Sequence, residues 1–309
     1  MNFKRLRYFA KVVDVGSLTQ AADLLNIAQP ALSQQIAILE SEVKQRLLVR
    51  TKRGVLPTEA GKTLYGHAQA ILRQCEQARM DMQAESRGVA GPVSVGLAPG
   101  TAAATLGVPL IRTIRSQHPG IVPYLNENYG TALSELVMSG RMDLAVLYGN
   151  RPMHGLSFTP LIQEELFLVG ASARADPIPL AELDGIGLFL PRPYNIVRKL
   201  VDENFMRAGI QFRLIAEVES AITLKALINE GLGATISPWS MAREIAGERP
   251  SSCRHIVDPV IQAPLTLCQS DHLPLSEPAQ VVREILLQLA AGLSAGSGWP
   301  HETGDPGAP

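Results

Sequence analysis

The chain has no apolar run approaching the length of a membrane-spanning helix, so no span is expected. Its opening, MNFKRLRYF, lacks the apolar core of a secretory signal, and a cytoplasmic protein away from membranes is expected. Only three cysteines occur among 309 residues, Cys75, Cys253 and Cys268, and they give neither a metal spacing nor an even disulfide framework. Six histidines are scattered without an HxxxH or HExxH pattern, so no metal site and no cofactor is expected. P-loop and GxGxxG strings are missing too, which argues against an enzyme housed in this chain. Gly231-Leu232-Gly233 follows a helical stretch and reads as a tight turn rather than a phosphate cradle.

There is also no overall excess of positive charge. A net charge of −1 by itself argues against a nucleic-acid partner, but its distribution reverses that. Up to residue 66 there are ten cations against five anions, so the head carries +5 and the remainder −6. A basic head on an acidic body suits a DNA reader joined to a separate sensing module. With 46% hydrophobic and 18% charged residues, the chain should fold into two or three packed domains.

Gly16 to Leu39, GSLTQAADLLNIAQPALSQQIAIL, carries the most information. Phe3, Leu6, Phe9, Ala10 and Val13 form a helical stripe that Gly16 stops, because glycine enters the left-handed region without a Cβ penalty. Ser17-Leu18-Thr19-Gln20 reads as a capping box opening a second helix, with Leu18, Ala21, Ala22 and Leu25 inward. Asn26 ends that helix by a left-handed turn, and Pro30 opens a third. On the third helix Leu32, Ile36 and Leu39 share one side; Pro30, Ser33, Gln34, Ala37 and Ser41 share the other. That outer face is short, uncharged and rich in hydrogen-bonding groups, which suits base edges in a major groove: Gln for adenine, Ser as donor or acceptor, Ala beside a thymine methyl.

Alone, such a face is more often a solvated surface. The segment after the third helix reverses that expectation. Arg50-Thr51-Lys52-Arg53-Gly54-Val55 reads as a tight hairpin that brings three cations beside the third helix, a wing for phosphate or a narrow minor groove. The candidate DNA contacts are therefore Ser17, Thr19, Gln29, Pro30, Ala31, Ser33, Gln34, Arg50, Lys52 and Arg53.

Pro57-Thr58-Glu59 starts a long helix in which Gly61, Leu64, Ala68, Ile71, Cys75, Ala78 and Met82 recur at spacings of three and four. That is a heptad seam for a dimer, or the apolar stripe of a helix packed on its own domain. A dimer is favoured because one short recognition helix reads too few bases, and twofold proteins read palindromes. Residues 58–87 are thus a linker and dimerisation helix after a 1–57 DNA-binding domain, and 88–92 a hinge.

Beyond the hinge, strand-like runs alternate with helical stretches: VSVGLA from Val93, IVPYLNE from Ile121, DLAVLYG from Asp143, then ELFLVGA, GLFLP, FRLIAEV, ATISP and LTLCQ. Thr131 reads as a helix cap. The alternation predicts a largely parallel sheet with helices on both faces over 93–291, in two subdomains: I over about 93–160 and 266–291, II over about 161–265. Ligands in such folds bind at the carboxyl ends of strands and the amino ends of helices, whose free N–H groups and positive dipole suit a carboxylate or other anion. Thr101, Ala102, Thr131, Tyr148, Pro191, Tyr194, Ser220 and Thr223 are the candidates for an effector cleft. Gly292 to Pro309, rich in Gly, Ser and Pro, reads as a disordered tail.

The strings SLTQAADLLNIAQPALSQQI, Leu39-Glu40 and RTKRGVLPTEAGK resemble the winged helix-turn-helix of LysR-type transcriptional regulators, and the whole chain fits that family's length and order, nearest its nitrogen-assimilation-control subgroup. The resemblance implies base or backbone contact by Gln29, Pro30, Ser33, Gln34, Arg50 and Arg53. It also implies an α/β fold class overall: an all-α winged head, a linker helix, and an effector module similar to periplasmic solute-binding proteins. Expected partners are promoter DNA, a second and in some members four copies of the chain, RNA polymerase, and a small-molecule effector that some members do without. Buried or incidental thiols are the default reading of the cysteines; some members use a cysteine pair for redox sensing, which here would be Cys253 and Cys268. Two departures stand out: Val43-Lys44 where the family usually has Leu-Gly, and Leu48 where it usually has Phe. A solute-binding transport component, the remaining reading, fits neither the basic head nor the missing signal.

Overall fold

The computed structural model describes residues 2–51, 54–84, 89–99, 103–149, 152–170, 176–247 and 253–295. The chain divides into two compact units, the first essentially Met1–Ser86 and the second from Arg87 onward.

The first unit is a three-helix core with a hairpin and a long helix. Helix α1 (Phe3–Val15) is capped by Asn2, whose side chain accepts from the Arg5 amide at 2.9 Å, and stops at Gly16 with φ +68°. Helix α2 (Leu18–Leu24) starts at Ser17, whose hydroxyl accepts from the Gln20 amide at 3.4 Å. Asn26 takes φ +54°, and α3 (Gln29–Val43) begins with Pro30 in its first turn. Leu32, Ile36 and Leu39 of α3 are buried with Phe9, Ala21 and Ala22, as expected from spacing; on α1, Val12 and Tyr8 join the core although the expected stripe left them out, and Phe3 of that stripe is exposed. Burying side chains of this size contributes ~1.5–3 kcal/mol each, which is what lets three short helices hold together.

Strands β1 (Leu48–Thr51) and β2 (Gly54–Pro57) pair antiparallel, with Lys52 and Arg53 between them outside the described residues. Gly54 is required twice over. Its φ is +126°, and an added Cβ would lie 2.4 Å from the Gly16 carbonyl oxygen, the same oxygen that accepts from the Val55 amide at 2.8 Å. Helix α4 (Glu59–Ala84) is capped by Thr58, whose Oγ1 accepts from the Gly61 amide and donates to the Arg46 carbonyl.

The stripe along α4 divides. Gly61 and Ala68 are buried and Leu64 packs on the unit's own core, whereas Ile71, Cys75, Ala78 and Met82 are exposed. Gly61 is small for a local reason: a Cβ there would lie 2.0 Å from the Leu47 carbonyl oxygen. The early part of the stripe therefore belongs to the domain, and only the later part is free to form a seam.

The second unit contains β3 (Gly91–Leu97), a π-helical turn (Ala103–Gly107), α5 (Val108–Gln117), β4 (Ile121–Glu127), α6 (Gly130–Met138), β5 (Leu144–Tyr148) and the long β6 (Leu156–Val169). It continues through β7 (Ile178–Pro179), a 3₁₀ turn (Leu180–Leu183), β8 (Gly187–Leu190), α7 (Ile196–Ala208), β9 (Arg213–Glu217), α8 (Ala221–Asn229) and β10 (Thr235–Pro238). Helix α9 (Trp239–Ala246), β11 (Cys253–Val257), β12 (Gln262–Ser270) and α10 (Glu277–Ala295) complete it.

The sheet is mixed rather than largely parallel. Strands β4, β3 and β5 run parallel, but β12 is antiparallel to both β5 and β6, and β10 and β11 are antiparallel to β6. The reason is that β6 carries the chain from one lobe to the other and β12 brings it back, so these neighbours must oppose. Each lobe has its own core: Val95, Leu144, Val146, Leu267 and Leu286 in one, Leu166, Leu188, Val201, Phe205 and Ile256 in the other. Ile162 of β6 lies in the first core and Leu168 in the second, which marks β6 as the bridge.

Three sequence expectations shift. Strand β3 starts at Gly91, inside the segment expected as a hinge; residues 85–88 lie outside the described residues. Helix α10 runs to Ala295, three residues past the expected start of the tail, whose remainder also lies outside them. Helix α6 starts at Gly130, so Thr131 sits within its first turn and is not its cap.

Candidate functional site

Two places gather polar side chains without an obvious packing role. The first is the outward face of α3. Pro30, Ala31, Gln34, Ala37 and Ser41 are exposed there, with Gln29 and Ser33 half-buried. From β1, the Arg50 guanidinium donates to the Ser33 hydroxyl oxygen at 2.9 Å, which joins wing and helix and leaves the Ser33 O–H free to donate onward. Thr19 is exposed at the start of α2, while Ser17 spends its oxygen on the cap.

Behind this face lie braces that local sequence patterns do not reveal. Arg5 of α1 donates from Nε to Gln35 at 3.1 Å and from Nη1 to Glu42 at 2.7 Å, tying α1 to α3. Glu40 accepts from the backbone amides of Leu47 and Leu48 at 2.7 and 3.1 Å, fixing the start of the wing against α3. Charge-assisted bonds of this kind are the strong ones, so the helix and hairpin are held in one geometry. Lys44 closes α3 at φ +53°, a left-handed cap normally given to glycine.

The second place is a cavity of about 290 Å³ between the two lobes of the second unit. Thr131, Tyr148, Pro191, Tyr194 and Ser220 line it. Thr223 does not; its amide and hydroxyl both donate to Ser220 Oγ, at 3.2 and 3.0 Å, completing the cap of α8. Thr101 and Ala102 lie outside the described residues. Side chains that sequence patterns did not single out also line it, chiefly Tyr129, Ser134, Asn195 and Glu219. Asn195 caps α7 by accepting from the Val197 amide at 2.8 Å, and the signal that could have found it is an Asn directly before the apolar pair Ile196-Val197.

Behind Tyr148 on one wall sits a buried acid. Glu164 on β6 is 1% exposed and accepts from the Ser240 amide at 3.1 Å and hydroxyl at 2.8 Å, with the Tyr148 hydroxyl also bonded to it. Burial pushes its pKa up despite these donors, because desolvation outweighs three hydrogen bonds. Tyr129 is pushed up by burial and then by the charge of Glu219; Tyr194 is pushed up chiefly by its hydrogen bond to Glu219. Both hydroxyls therefore remain donors at neutral pH.

The cysteines are not arranged as a redox pair. Cys253 faces Val169 and Cys268 faces Phe158, eleven positions apart along β6. At ~3.3 Å per residue that is far beyond the ~7 Å Cα limit for a disulfide. Both are buried, and burial pushes their thiols up to about 11 and about 12, so neither is a reactive thiolate. Among the described residues no group of three or more His, Cys, Asp or Glu side chains could hold a metal ion, and no helix is long and apolar enough to cross a membrane.

Residues 3–62 match the family of bacterial regulatory helix-turn-helix proteins of the lysR type, and residues 86–291 match the LysR substrate binding domain. The chain belongs to the LysR family. It is 48% identical over 292 residues to the nitrogen assimilation regulatory protein nac of Klebsiella aerogenes, covering 94% of this chain and 96% of that protein. It is 45% identical to the nac protein of Escherichia coli K12, covering 94% and 95%. Among solved structures, a full-length OxyR cysteine variant from Pseudomonas aeruginosa shares the fold with a TM-score of 0.70 at 23% identity, covering 94% of each chain. Full-length CbnR complexed with target DNA does so with a TM-score of 0.66 at 24% identity, covering 94% of this chain and all of that one. The protein is thus a LysR-type transcriptional regulator, a DNA-binding protein and not an enzyme. Its head is the winged helix-turn-helix unit, and its body is the two-lobed effector module.

Proposed function

We propose that this regulator sets α3 in the major groove of promoter DNA, with Ser33 and Gln34 reading base edges and Arg50 and the wing cations Lys52 and Arg53 held on phosphate. The observation that carries this reading is the Arg50–Ser33 bond, which fixes the wing cation beside an otherwise uncharged helix face. Phosphate contacts position the protein and base contacts give it specificity. Two copies pair through the exposed later part of α4, Ile71 to Met82, and pairs of dimers form a tetramer on interrupted palindromes.

In this reading the cavity between the lobes takes a small-molecule effector. The effector shifts the arrangement of the dimers on DNA, and with it contact to RNA polymerase, only to the extent that it binds one arrangement better than the other. The names of the two nac relatives support target genes in nitrogen assimilation. The protein acts in the cytoplasm, where its DNA is.

The test is retention of genomic DNA fragments by the purified full chain across a salt series, with and without a metabolite mixture. Selective retention of a few promoter fragments, with a footprint that changes on adding metabolites, is expected. Selective retention with no metabolite effect at any concentration would leave a regulator governed by its own abundance. Uniform retention of all fragments would sink the assignment of α3 as a reader.

A further inference from the structure

Only two formally charged side chains line the cavity among the described residues, Lys199 and Glu219. They are not equivalent. Lys199 is exposed, so water and salt screen its charge, whereas Glu219 is partly buried. The Tyr194 hydroxyl bonds to the Glu219 carboxylate, yet Oε1 of that carboxylate is buried without a hydrogen-bond partner among the described residues. Buried polar atoms are nearly always satisfied, and an ionised carboxylate can only accept. Whatever completes this wall must donate to it.

The rest of the wall narrows the donor further. Tyr129, Tyr194 and Glu219 line the same cavity, and both tyrosine hydroxyls feel the Glu219 charge. Aromatic faces and a carboxylate attract a cation to this wall, while the amino ends of α6, α7 and α8, which line the same cavity, suit an anionic group away from it. Phe158, Leu224 and Met241 make much of the remaining surface apolar. At about 290 Å³ the cavity lies at the small end of ligand pockets.

We propose that the cavity takes a small ligand bearing a protonated amine, seated on Glu219 Oε1 between Tyr129 and Tyr194, with a short apolar body against the opposite wall. This rests on the reading of the cavity as an effector site and adds its charge preference.

The experiment uses the full chain and three probes of one shape: n-butylammonium, butyrate and 1-butanol, at matched ionic strength and pH 7, read by titration calorimetry and by melting temperature. The ammonium is expected to bind at least tenfold more tightly than either analogue, and Glu219→Gln to abolish that preference while keeping the unliganded melting temperature. The wild-type preference alone decides the matter should Glu219→Gln not fold. Preference for butyrate would overturn the amine proposal and leave the effector site standing. Binding of none of the three would also overturn it, and the metabolite arm of the DNA experiment then decides the effector site separately. Equal ammonium binding by wild type and Glu219→Gln would show that the amine sits elsewhere.

Discussion

The two units satisfy their polar groups in opposite ways. In the first, functional side chains are locked before any ligand arrives: Arg50 to Ser33, Glu40 to two wing amides, Arg5 to Gln35 and Glu42. In the second, Glu219 leaves an oxygen unpartnered among the described residues inside a cavity. A surface that reads DNA gains from rigidity, because a base contact misplaced by an ångström is lost. A surface that senses gains from a deficit that binding can repair.

The contrast breaks most severely at the glycines of α4. Gly61 has a carbonyl oxygen 2.0 Å from where a Cβ would be, while Gly66, a little over one turn on, has nothing within 4 Å. Gly61→Ala is therefore expected to destabilise the first unit by ~3 kcal/mol or more, since backbone must move. Gly66→Ala should stabilise it by ~0.5–1 kcal/mol through helix propensity. Both tryptophans, Trp239 and Trp299, lie beyond residue 86, so tryptophan fluorescence follows the second unit while far-ultraviolet circular dichroism and DNA retention follow both or the first. Loss of DNA binding in Gly61→Ala with an unchanged fluorescence melt is the expected pattern; simultaneous melting of both signals would show that the units do not fold separately.

A gentler cut separates reader from anchor within the rigid unit. Gln34→Ala should lower discrimination at one base position by ~1–3 kcal/mol, with little change on random DNA. Arg50→Ala should weaken binding to all sequences and reduce the salt slope by about one, although the loss of its bond to Ser33 adds a small sequence-dependent part. Competition binding at several salt concentrations measures both. Equal losses by both mutants on specific and random DNA would erase the distinction.

The rigid unit was far more legible in the sequence than the sensing one, and the reason is range. Gly16, Ser17, Asn26, Pro30 and the Leu32-Ile36-Leu39 stripe act within a turn or two of themselves, so spacing alone exposes them. The Arg5 and Glu40 braces join residues seven to 37 positions apart and leave no local trace. Likewise the direction of β12 and the meeting of Tyr129, Asn195 and Glu219 depend on how two lobes close, which no window of sequence contains. Thr131 and Thr223 show the cost: each sits at a helix start, but one is not the cap and the other faces its neighbour Ser220 instead of the cavity.

The buried acid of the sensing unit gives a pH signature of its own. Glu164 has its folded pKa raised, so the folded state holds a proton that the unfolded state releases near 4.5. The second unit is then expected to lose stability as pH rises from about 4.5 through the raised folded value, and to stay level above it. Glu164→Gln should flatten that slope in fluorescence-monitored urea melts taken from pH 4.5 to 8. A slope of wild-type size in the variant would assign it to other groups.

The smallest expected effect tests whether the rigid unit is built to an optimum. Helices α1 and α3 end in the same left-handed conformation, Gly16 at φ +68° and Lys44 at φ +53°. Glycine enters that region freely, whereas for a residue with a Cβ it costs ~1 kcal/mol. Lys44→Gly, which restores the residue usual in the family, should raise the stability of the first unit by somewhat less than that, because glycine also loses more entropy on folding. The urea midpoint followed by far-ultraviolet circular dichroism is the measurement. A rise would mean that this chain keeps lysine against its backbone preference, and the basic head makes phosphate attraction the natural compensation; DNA affinity should then fall in the same variant. A drop in stability would mean instead that the lysine stem packs on α3 well enough to offset the strained backbone.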